Sequence, residues 1–305
     1  MVLEAGKWGL TAGRRRKERV NLGTLWAKKG ADRSKGMWKN GGNLDAPIPS
    51  GHGPPQTFSQ AKPRPPADSA THRGAPDVID PKEYARWRES YIGALTERIE
   101  EETIFRLAGD MNGKCLLDLG CGDGTYSIAA FQRGARVTGV DISDAMLYSA
   151  RRRAAACGAS VEWRQASAES LPYDSGIFDI VLAVTILCFI RDPLQVVKEV
   201  SRVLRPGGRF VIGELGRYSS WALSRRVRGW LGSSRWRDAH FWTVGELQYL
   251  LQQAGFHIGT TRGCVYYPPF NFAAHIVGEH DQALSFLGQV GAAFLAVRGD
   301  KPALT

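Results

Sequence analysis

Apolar and polar positions change period several times along this chain, and each change marks an element. "PKEYARWRESYIGALTERIEEETIFRL" from Pro81 has helical composition, with Tyr84, Trp87 and Tyr91 spaced on one face. Cys115–Leu119 then reads as a strand, Thr125–Arg133 as a helix closed by Gly134, and Arg136–Val140 as a strand. Ser143 is placed to cap a helix that runs to Cys157 and stops at Gly158. Val161–Gln165 and Phe178–Val184 follow as strands. Leu194, Val197, Val200, Val203 and Leu204 trace a helical stripe ended by Pro206-Gly207-Gly208, and Arg209–Glu214 is the next strand. Thr243 and Glu246 form a capping box opening a helix to Ala254. The last two strands, His257–Val265 and Ala292–Val297, show no helical pattern between them and would pair antiparallel at the sheet edge.

Strand–helix alternation implies parallel strands with right-handed crossovers, and ligands at the strands' carboxyl ends. The expected fold class is α/β: a doubly wound, seven-stranded, mostly parallel sheet with one antiparallel edge strand. Residues 1–78 carry neither period. "GGNLDAPIPSGHGPPQ" and "AKPRPPADSA" cannot bury enough surface to offset ordering, so a disordered basic tail is expected ahead of one domain over 79–305. The tail has no apolar core of a secretory signal and no transit-peptide pattern.

Composition adds limits. The longest apolar run, Ile180 to Ile190, is too short to cross a membrane. Five cysteines without a CxxC pair suggest a reducing, cytoplasmic setting, no disulfide framework and no metal site. The formal charge of +10 is concentrated at "GRRRKER" (Gly13 to Arg19) and "SRRVRGW" (Ser224 to Trp230). An insertion at about 216–242 holds Leu223, Val227, Trp230 and Leu231 at i, i+4, i+7 and i+8, a basic amphipathic helix. It reads either as a lid over an apolar acceptor or as a core-packing helix with a solvated arginine face. Contact with a membrane surface would rest on this one helix.

The chemistry lies in Asp118-Leu-Gly120-Cys121-Gly122-Asp123-Gly124, between a strand and a helix. A dinucleotide turn needs G-x-G-x-x-G; here the third glycine comes one residue early. Asp118 and Asp123 add negative charge where a pyrophosphate would sit, which favours a cationic ligand. Asp141, 21 residues after Gly120, suits a carboxylate on ribose hydroxyls. S-adenosylmethionine, with a sulfonium and an ammonium, meets these conditions.

"LLDLGCGDG", "VTGVDIS", "AESLPYDSGIFDIV" and "VLRPGGRFVIGE" occur in this order. From about Tyr84 to Val297 the chain resembles class I S-adenosylmethionine-dependent methyltransferases, in particular the group that includes ubiquinone/menaquinone-biosynthesis C-methyltransferases. The resemblance implies that Gly120, Cys121, Gly122 and Gly124 pass under the methionine part, with Asp118 near its amino group. Asp141, Ile142 and Met146 would hold ribose and adenine. Ser167, Ala168 and Glu169 would lie at the adenine edge, and Thr185 would begin the loop facing the methyl group. Tyr84 and Trp87 match a Tyr-x-x-Trp lead-in that would cover the sulfonium. Ser167 stands where the family usually has an acid, and Cys188 and Phe189 where it often has histidines. No base carries over to that loop; Glu214, at the end of the fifth strand, and His240 are the candidate catalytic residues. The expected partner is a small-molecule methyl acceptor. Nucleic acid is not expected, since no folded RNA-binding module accompanies the basic tail and no Asn-Pro-Pro-Tyr motif is present. An RNA methyltransferase using the tail, and a non-catalytic cofactor-binding protein, stay open as alternatives at this point.

Overall fold

The computed structural model describes residues 81–303; the tail expected over 1–78 lies outside them. Seven strands form one sheet in the order β3-β2-β1-β4-β5-β7-β6. β1 (Cys115–Leu119), β2 (Arg136–Asp141), β3 (Glu162–Gln165), β4 (Phe178–Val184) and β5 (Leu204–Leu215) are parallel. β7 (Phe294–Asp300) runs antiparallel to both β5 and β6 (His257–Cys264), so the reversed strand sits one place in from the edge. Chain order reverses between β1 and β4, and a doubly wound sheet opens its ligand crevice at that switch point, at the carboxyl ends of the strands.

Every residue of β1 is buried, because helices cover both faces of the sheet. Leu117 and Leu119 face a core built with α5 (Pro193–Val203) and α8 (Val244–Gln253). Leu116 faces the other, built with α2 (Tyr91–Ala108) and α3 (Thr125–Gln132). α4 (Asp144–Ala156) packs on β2 and β3.

The helix starts follow their caps. Ser143 Oγ accepts from the Met146 N–H at 3.3 Å, and Thr243 and Glu246 make the reciprocal capping box. The lead-in breaks into α1 (Pro81–Glu89) and α2, because Ser90 adopts an extended conformation and caps α2 at Gly93 N–H. Two further expectations are corrected. A helix does lie between β6 and β7: α9 (Asn271–Val277), continued by a 3₁₀ stretch over Gly278–Leu287. α9 is short and exposes Phe272 and Ile276, so it has no inward apolar stripe to announce it. The segment is instead held by Asp281, whose buried carboxylate accepts from the Val265 and Tyr266 N–H groups at 2.9 and 2.6 Å. The insertion comprises α6 (Ser220–Trp230) and α7 (Ser234–Arg237), closed at its base by Trp242 N–H to Leu215 and Arg217 N–H to Trp242. Its arginine face is not simply solvated: Arg225 turns inward between Trp221 and Trp236 while the apolar stripe faces out.

Candidate active site

The turn after β1 and the segment after β4 meet at the switch point. A Cβ on Gly120 would come within 2.5 Å of Ile186 Cδ1, so only glycine lets the two segments close up. Gly124 and Gly139 are small for another reason. Cβ atoms there would lie 2.7 and 2.6 Å from the Trp163 indole, which covers the turn from β3. Gly122 alone of the three turn glycines faces open space, with φ +53° and no described atom within 4 Å of the place its Cβ would take. That is the face a ligand can approach.

Asp118 is buried beneath this turn. Ser127 donates to its Oδ2 at 2.5 Å, and no cation among the described residues pairs with it. Burial pushes the carboxyl up to about 7, with Ser127 opposing. Asp141 holds the architecture itself: Oδ2 accepts from Gly122 N–H and Oδ1 from Ser143 N–H, both at 2.8 Å. Burial raises it too. Each oxygen keeps a lone pair for a ligand hydroxyl. Ile142 is exposed beside Asp141, and Met146 is buried one helical turn on. Ser167 accepts from Glu169 N–H at 3.2 Å, Ala168 is buried, and Glu169 is half-buried. Cys121 is buried, and burial raises its thiol further from ionisation. A buried carboxylate lacking a cation, beneath an open glycine face, fits a ligand that carries positive charge.

Asp123 requires a correction. Its carboxylate does not await a ligand: it is buried and paired with Arg88 at 2.5 Å and Arg153 at 2.7 Å, with Thr125 donating as well. The pairing pins α1 to the glycine turn, and no local pattern announces it, because Arg88 and Asp123 lie 35 residues apart. Arg88 also stands 5.3 Å over the Tyr84 ring, while Tyr84 stacks on Trp87 at 5.7 Å. The cation over Tyr84 in this structure is therefore Arg88. Burial and the nearby Glu97 raise the Tyr84 phenol.

Thr185, at φ +55°, donates its N–H to Gly213 at 2.7 Å. Such a conformation is costly for a β-branched residue and is imposed by its surroundings. Glu214 and His240 both act on the segment that follows. Glu214 is fully buried; Oε1 accepts from Leu187 N–H at 2.6 Å, while Oε2 has no partner among the described residues. Burial pushes it up to about 7. The His240 N–H donates to the Cys188 carbonyl at 2.9 Å. Its ring stands 3.3 Å from Arg217 Nη2 and 3.6 Å from Glu246, and burial lowers its pKa.

Sequence reading missed Glu100 and the inward stacking of Arg225. Arg225 lies 5.2 Å over Trp221 and 4.9 Å over Trp236. Burial lowers its pKa to about 10, and the charge of Glu100 opposes that shift. Glu100, on α2, is half-buried and pushed up to about 8 by burial. Its place inside a helix of many glutamates hid it.

The profile of a family described as "Methyltransferase domain" matches residues 117–212. An uncharacterized protein of Mycobacterium tuberculosis is 33% identical over 234 residues, 77% of this chain and 74% of its own. A ubiquinone biosynthesis O-methyltransferase of Idiomarina loihiensis is 30% identical over 57% of this chain and 73% of its own. Among solved structures, an S-adenosylmethionine-dependent methyltransferase of Thermotoga maritima superposes with a TM-score of 0.56. It is 24% identical, over 72% of this chain and 95% of its own, a likeness of fold.

Proposed function

Because the chain belongs to the class I S-adenosylmethionine-dependent methyltransferases, we propose that it methylates a small, largely apolar acceptor of quinone- or lipid-like character. The observation that carries the cofactor side is Asp118, a buried carboxylate without a cation under the open face of Gly122. In this reading Asp118 attracts the ammonium group, and the spare lone pairs of Asp141 take the ribose hydroxyls. Ile142, Met146, Ser167, Ala168 and Glu169 surround the adenine. When bound, S-adenosylmethionine supplies an electrophilic methyl on its sulfonium.

The chain's part is alignment and exclusion of water, for which orientation alone supplies several kcal/mol. Thr185 and the following residues form the wall toward the methyl group. Glu214 and His240 hold that wall in place through Leu187 and Cys188, so they enter as positioning residues. His240 is poorly suited as a base, since burial lowers its basicity and Arg217 crowds the ring nitrogen. Glu100 lies within electrostatic reach of Arg225, and each offsets part of the other's desolvation. Trp221, Trp236 and Arg225 offer the acceptor an aromatic wall with a cation in it. Relatives named for ubiquinone biosynthesis act in a pathway of such ring compounds, which supports the acceptor class. The RNA reading has its support only in residues outside the described region.

The test is calorimetry with S-adenosylmethionine, followed by methyl transfer from labelled cofactor to a panel of quinols, phenols and lipids. Binding plus label in an apolar acceptor is the expected result. Absence of cofactor affinity overturns the site; label in RNA alone overturns the acceptor class.

A further inference from the structure

α6 is amphipathic in the opposite sense to a helix that packs by its apolar stripe. Its inward side is Trp221, Ala222, Arg225 and Gly229. Trp221 is 8% exposed and donates its indole N–H to the Tyr267 carbonyl at 2.8 Å. A Cβ on Gly229 would meet the Trp236 backbone at 3.0 Å, so the helix is seated closely on α7. The outward side is the stripe itself: Leu223 is 63% exposed, Trp230 83% and Leu231 82%, with Val227 between them. At about 100° per residue these four fall within an arc of roughly 100°. Arg226 and Arg228, both exposed, border that arc on its two sides. Two further exposed apolar residues lie near the start of the helix. Tyr218 is exposed and accepts from Gly291 N–H at 2.8 Å, which brings exposed Val290 alongside. Large apolar side chains gathered in this way mark a surface that something covers.

The charge at the borders identifies the occupant. A second copy docked through the same face would bring Arg226 and Arg228 of each chain together, unfavourable for a self-complementary contact. The residues before Pro81 hold fourteen Lys and Arg against seven Asp and Glu, so they too are repelled by these arginines. An anionic bilayer satisfies both parts: the stripe enters the headgroup–acyl boundary while the flanking guanidinium groups stay at the phosphates. We propose that the outward face of α6 docks this protein onto anionic lipid bilayers. No helix among the described residues is long and apolar enough to cross a membrane, so α6 lies on the surface. Docking is independent of methyl transfer, and a binding readout tests it alone.

The experiment is co-sedimentation of the full chain with vesicles of phosphatidylcholine and phosphatidylglycerol in equal parts, and with phosphatidylcholine alone. Binding should require the anionic lipid and weaken with salt. Trp230→Ser combined with Leu231→Ser should reduce it at least tenfold at an unchanged melting temperature. Arg226→Gln and Arg228→Gln should each reduce it roughly fivefold. The proposal is overturned by absence of vesicle binding. It is also overturned if the Trp230/Leu231 variant binds as the parent does, which leaves the basic tail as the sole contact. Self-association of the parent that these substitutions abolish would assign the face to a second copy instead.

Discussion

The two sides of the crevice are built on different principles. On the cofactor side, from β1 through β3, the turn itself sets the chain: Gly120, Gly124 and Gly139 packed too closely for a Cβ, a cap one turn long at Ser143, and Asp141 tying Gly122 to Ser143. On the other side, α6 is placed by a contact between distant residues, Trp221 to Tyr267, 46 positions apart. In the proposed reading, a cradle for the cofactor thus faces a cap that meets the acceptor. In a methyltransferase that division separates what every reaction needs from what one substrate needs.

Substitutions can break this comparison. The largest effect is expected for Asp123→Ala, which leaves Arg88 and Arg153 facing each other without their shared carboxylate. A loss of about 3 kcal/mol in urea unfolding is expected, with cofactor affinity falling as α1 detaches. Gly120→Val comes next: the clash with Ile186 and a φ of +68° should cost about 1–3 kcal/mol and lower cofactor affinity roughly 100-fold by calorimetry.

The third expectation is a pH dependence. Folding raises the Asp118 pKa, so its contribution to the stability of the free protein is fullest below the ordinary carboxyl range and is lost as pH rises through about 7. Cofactor binding has the opposite sign, since a cation prefers the ionised carboxylate. Affinity should therefore rise with pH, by up to about tenfold per unit below 7, and level off above it. Asp118→Asn should flatten the profile. The smallest change should come from the cap. Arg225→Ala should raise the acceptor KM by about tenfold, a loss near 1.4 kcal/mol, with cofactor affinity unmoved. An equal fall in cofactor affinity would mean that the two sides are not separable.

Legibility followed the reach of each signal along the chain. β1 and β4 appear with the bounds that alternation and turn signals predict, and the caps at Ser143 and Thr243 are made by the residues that predict them. Such signals are complete within a few residues. Asp123 was misread because a carboxylate in a glycine turn looks the same whether its partner is a ligand or an arginine 35 positions back. The periodicity of α6 was visible, but period does not say which face turns inward. Trp221 and Arg225, outside the apolar stripe, decide that by stacking on each other. α9 was missed because seven residues with their aromatics outward carry no period at all.

One bond in the wall after β4 has a consequence for engineering. Thr185 is kept in a left-handed conformation by its N–H to Gly213, like a spring held compressed by a catch. Replacing it with glycine relaxes the spring, so Thr185→Gly is expected to melt at a higher temperature, and a slower turnover in that variant would tie the stored strain to the proposed wall.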